Sequence, residues 1–118
     1  MTYDVYFTDG EKDQPSPFAI HGMAYGAQVF DWARKFVFSD NVLSPEEVKK
    51  LAKEFHDLMV GYCKAVSGTN YFGGDPTGCY YLDAINEKRH NPEIFLTTKR
   101  WLEVYVAASA FGWGLKFQ

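Results

Sequence analysis

The stretch SPEEVKKLAKEFHDLMVGYCKAVSG, Ser44 to Gly68, carries the clearest structural signal in the chain. Ser44 is a helix N-cap, Pro45 suits the first helical position, and Glu46 and Glu47 set two carboxylates at the positive end of the helix dipole. Ser44 with Glu47 also has the spacing of a capping box, in which each residue satisfies the other's backbone N–H. Val48, Leu51, Ala52, Phe55, Leu58, Met59, Tyr62, Cys63 and Val66 then recur at three- and four-residue intervals, which puts them on one helical face. Lys49, Lys50, Lys53, Glu54, His56 and Asp57 fall on the other. Gly61 weakens the helix by roughly 1 kcal/mol relative to alanine, and Gly68 supplies the stop. A helix over 45–67 is about 34 Å long.

The segments before this helix change period. In Thr2–Thr8, Tyr3, Val5 and Phe7 alternate with Asp4, Tyr6 and Thr8, the pattern of a half-buried strand. Asp9-Gly10 ends it, and Pro15 and Pro17 hold the next residues extended or turned. Phe18-Ala19-Ile20 reads as a short second strand. Over 23–38, Gln28, Asp31 and Lys35 form a narrow polar stripe among Val29, Phe30, Trp32, Ala33, Phe36 and Val37, which predicts a helix packed on two sides.

After the long helix, Asn91-Pro92-Glu93 is a second helix-start signal. Thr97-Thr98 is expected to interrupt that helix or to cap a new one. Trp101, Leu102, Val104, Tyr105, Ala108 and Phe111 share a helical face, and Lys99 with Glu103 makes an (i, i+4) pair. Leu102, Val104, Val106 and Ala108 also alternate as a strand would. The alanines at 107, 108 and 110 favour helix, and Gly112 ends it. Gly114–Phe117 then reads as a closing strand beside the N-terminal one. The fold class expected is α+β: two to three helices packed on a small, mainly antiparallel sheet in one domain, 1–118.

Composition narrows the function classes. Hydrophobic residues make up 47% and charged residues 23% of the 118, which is ordinary globular composition. Residues 1–17 set Asp4, Asp9, Glu11 and Asp13 against Lys12 and so account for the whole net charge of −3. The remainder has no basic stripe, so nucleic acid is not expected as a partner. The apolar runs are far too short for a membrane span. No apolar signal core opens the chain, and two cysteines, Cys63 and Cys79, read as buried thiols, so a cytoplasmic setting is expected.

Chemistry is sparse. His21, His56 and His90 lack metal-ligand spacing, so neither metal nor cofactor is expected. Cys63 points with Phe55, Met59 and Tyr62 to the apolar face, and a thiol buried there is inert. No serine sits in a Gly-x-Ser-x-Gly elbow. The reading leans away from an enzyme.

The segment TNYFGGDPTGCYY, Thr69 to Tyr81, is the one unusual loop. It lacks the lysine of a phosphate cradle, and Asp75 opposes an anion. Asp75-Pro76-Thr77-Gly78 fits a type I turn, with Tyr71-Phe72 and Cys79-Tyr80-Tyr81 as hairpin arms. Aromatics make up 18% of the chain, more than a small core needs, and such residues are favoured at contact surfaces. Tyr71, Phe72, Asp75, Tyr80 and Tyr81 are therefore the candidate ligand- or partner-binding residues. The leading expectation is a small soluble protein-binding module that occludes a partner surface. Inhibitors, immunity-type proteins and phage counter-defence proteins are of this kind, an association by size and composition alone. The alternative is a small-molecule-binding protein or small enzyme that uses the 70–83 loop over a pocket. A homodimer through helix 23–38 is a further expectation, from its wide apolar girth.

Overall fold

A computed structural model describes residues 2–9, 19–24, 29–37, 42–67 and 92–118. Strand β1 (Thr2–Thr8) pairs antiparallel with β2 (Ala19–Ala24) on one side and with β4 (Gly114–Phe117) on the other. A two-residue strand, β3 (Val42–Leu43), adds to the outer side of β4, giving the order β2-β1-β4-β3. Helix α1 spans Pro45–Ser67 and α2 spans Pro92–Phe111. The result is the expected α+β arrangement, helices on a small antiparallel sheet, with the closing strand seated beside the first.

Period two explains which sheet face is covered. Val5 opposes Phe117 and Phe7 opposes Leu115 in the β1–β4 ladder, and Leu43 opposes Leu115 in the next. All five are buried, and they meet Val48, Phe55 and Met59 of α1 with Trp101, Tyr105 and Ala108 of α2. Each such side chain gains about 1.5–3 kcal/mol from leaving water. The opposite face carries the row Tyr6, Lys116 and Val42, with the Lys116 ammonium 6.0 Å from the Tyr6 ring centre.

The helix ends behave as their sequences dictate. Glu47 N–H donates to Ser44 Oγ at 3.2 Å, and Ser44 N–H donates to Glu47 Oε1 at 3.3 Å, which completes the capping box. At the other end of the helix pair, α2 closes in a Schellman motif. Gly112 adopts φ +75°, Gly112 N–H bonds Ser109 C=O at 3.1 Å, and Trp113 N–H bonds Ala108 C=O at 2.9 Å.

The predicted helix over 23–38 does not form. Met23 and Ala24 belong to β2, where they pair with Tyr3 and Thr2. Phe30 is extended (φ −61°, ψ 148°), and only Asp31–Phe36 coils, as a 3-10 helix. The physical reason is tertiary. The Phe30 N–H donates at 3.2 Å to Thr98 Oγ1, a fully buried hydroxyl on α2. The tighter helix then sets Ala33 and Phe36, three residues apart, toward the core. Because Met23, Ala24 and Phe30 are extended, the single long helix that was the basis for a dimer does not run through these described residues. Thr97 and Thr98 likewise do not interrupt α2, because Thr98 spends its hydroxyl on Phe30 rather than on its own helix.

Candidate partner-binding face

Tyr71, Phe72, Asp75, Tyr80 and Tyr81 lie outside the described residues, as do the hairpin expected around them and a pocket beneath it. Cys79, His90 and the side chains of His21 and Cys63 also lie outside. His56, on α1, sits with its Nδ1 3.3 Å from Asp57 Oδ1, while Lys53 Nζ is 3.4 Å from Asp57 Oδ2. The His56 hydrogen bond foremost, with Lys53 adding to it, holds the exposed Asp57 carboxyl below the usual carboxylate range. Among the described residues no three His, Cys, Asp or Glu side chains gather where a metal ion would need them.

Most of the described aromatics enter the core. Phe36 stacks on Phe55 at 4.3 Å, with Tyr105 edge-on to both, and Trp101 packs against Phe117. A second cluster joins Phe30, Trp32, Tyr62 and Phe95 where α1 ends and α2 begins, with Phe30 and Tyr62 ring centres 4.6 Å apart. The Trp32 indole N–H is buried there and meets no acceptor among the described residues. Phe111, stacked on Trp113 at 5.0 Å, is the large aromatic that stays mostly exposed among the described residues.

The outward side of the helix pair has a different character. Helix α1 is sharply two-faced, but α2 also carries apolar residues outward: Leu96 is 42% exposed and Val106 43%. Where α1 and α2 meet, a groove of about 420 Å³ is lined by Lys49, Ala52, Lys53 and His56 of α1 and by Val106, Ser109 and Ala110 of α2. A neighbouring groove along α1 is bounded by Lys50, Lys53, Glu54, Asp57 and Leu58, and Leu58 is 38% exposed rather than packed inward. The α2 side of the first groove, Val106, Ser109 and Ala110, has no long side chain, and Lys49 and Lys53 stand on the α1 side.

This face was not among the sequence candidates, although its signal is present. Trp101, Leu102, Val104, Tyr105 and Ala108 do share the buried face, but Phe111, expected on it, is 57% exposed at the end of the helix. Val106 is an apolar residue left over, and with Leu102, Val104 and Ala108 it makes the alternation that also fits a strand. In the helix it faces water. No protein-family model, curated protein or solved structure matches this chain.

Proposed function

We propose that the chain is a non-enzymatic protein-binding module that occupies a partner's surface with the outward face of its helix pair. The observation that carries this reading is the exposure of Val106, with Ala110 one turn on, in an open groove beside α1. A helix with apolar residues on its solvent side as well as its core side has surface still to bury. Association with a partner is the ordinary way to bury it. The shallow groove between the helices, lined by lysines and small residues, suits a docked side chain better than an enclosed substrate. Inhibition of the bound partner and a cytoplasmic setting belong to the same reading.

The test is a photo-crosslinking amino acid placed at Val106 and, separately, at Asp31 on the 3-10 helix, in cells of the native host. A protein adduct that forms from position 106 and not from 31 is expected. Absence of any adduct from position 106 overturns the reading.

A further inference from the structure

We infer that the partner presents an acidic amphipathic helix, and that this helix lies in the groove between α1 and α2. The inference rests on the protein-binding reading and adds the chemistry of the occupant. Lys49, Lys53 and His56 follow one another at (i, i+4, i+7) along one wall, a run of about 10 Å. Among the described residues no carboxylate lines this groove. Lys49 has no carboxylate partner among the described residues. Of the nearby acids, Glu54 pairs with Lys35 and Glu103 with Lys99, while Asp57 is shared by Lys53 and His56, which leaves Lys49 as the wall residue outside these pairs. A net-acidic chain thus sets two lysines, Lys49 and Lys53, beside Val106 and Ala110 in this groove.

The floor sets the shape of what fits. Val106 and Ala110 are one helical turn apart, a spacing of about 6 Å that matches side chains at (i, i+4) on a docked helix. Aliphatic side chains at those positions cover Val106 and Ala110, and carboxylates on the flank of the same helix reach Lys49 and Lys53. Charge also argues against a second copy of this chain. In a two-fold contact the same patch meets itself, which would bring Lys49 and Lys53 of both copies into one interface with no carboxylate from the described lining between them.

The full chain, labelled with nitrogen-15, is titrated with an 18-residue peptide that carries Leu at (i, i+4) positions and Glu on the flanks. Two matched peptides carry Gln or Lys in place of Glu. The expected result is amide shifts confined to 49–56 and 106–110, with the Glu peptide binding at least tenfold tighter than either control. Lys49→Glu combined with Lys53→Glu removes that preference, and Val106→Glu weakens binding of the Glu peptide at least tenfold. Val106→Thr, a milder change at the same site, weakens it less. Preference for the Gln or Lys peptide, binding elsewhere, or no binding of the Glu peptide overturns the acidic-helix inference. So does a crosslinked adduct from position 106 made of two copies of this chain. Any of these with a foreign-protein adduct at 106 leaves the module reading standing, whereas loss of the adduct removes both.

Discussion

The Tyr105 hydroxyl donates a 2.7 Å hydrogen bond to the main-chain carbonyl of Phe36, which ties α2 to the last residue of the 3-10 helix. Both residues are fully buried, and the ring of each lies edge-on to the other at 5.9 Å. Tyr105→Phe keeps the ring packing but leaves that carbonyl without its donor, a loss of about 1–3 kcal/mol. Urea unfolding of the variant is expected to show it as a lower midpoint at unchanged slope.

Burial also pushes the Tyr105 phenol well above its ordinary range. Its stabilising effect is fully present below the unfolded tyrosine pKa, near 10. Above that pH the unfolded chain ionises while the folded one stays neutral, so stability falls as pH rises. Unfolding free energies between pH 8 and 11.5 are expected to decline more steeply for the natural chain than for Tyr105→Phe. Equal declines count against the buried neutral phenol.

Gly114 opens β4 directly against the Leu43 carbonyl, and a Cβ there would collide with backbone rather than with a movable side chain. Gly114→Ala is expected to cost about 1–3 kcal/mol or more, the range for an overpacked site. Gly61→Ala is the opposite case. Gly61 is exposed within α1, with open space where the methyl would stand, so the change is expected to stabilise by roughly 0.5–1 kcal/mol. Thermal unfolding of the two variants separates these signs.

Thr98→Val preserves shape and removes the acceptor for Phe30 N–H. A loss of about 1–3 kcal/mol is expected. The near-ultraviolet circular dichroism of the Trp32 cluster should change with it, because Phe30 stacks on Trp32 at 5.8 Å. Thr98→Ser keeps the hydroxyl and is expected to retain that spectrum.

Val106→Glu touches only the outward face, so its stability is expected to stay within about 0.5 kcal/mol of the natural chain. A larger loss would mean that Val106 belongs to the core and not to a docking surface.

Much of the fold was legible because its causes are local. The capping box joins residues three apart, the Lys99–Glu103 pair joins residues four apart, and the Schellman turn closes around Gly112. Alternation in 2–8 and 114–117 likewise needs only neighbouring residues to state which side chains turn inward. The identity of β1, α1, α2 and β4 follows from such short-range chemistry.

Other features have distant causes. Phe30 is extended because its partner, Thr98, stands 68 positions away, and no period in 23–38 reports that hydroxyl. The pairing of Val42 and Leu43 with β4 needs strand β4 already in place. The same holds for the candidate face. Helical spacing sorts Val106 from Tyr105 and Ala108, but an apolar residue off the core face lines a groove only where a second helix borders it. The sequence by itself determined the elements and their buried sides, through caps and periodicity acting over a few residues. The tertiary structure decided that Met23, Ala24 and Phe30 are extended rather than helical and that Lys49, Lys53 and Val106 share one groove, because those outcomes depend on contacts between segments far apart in the chain.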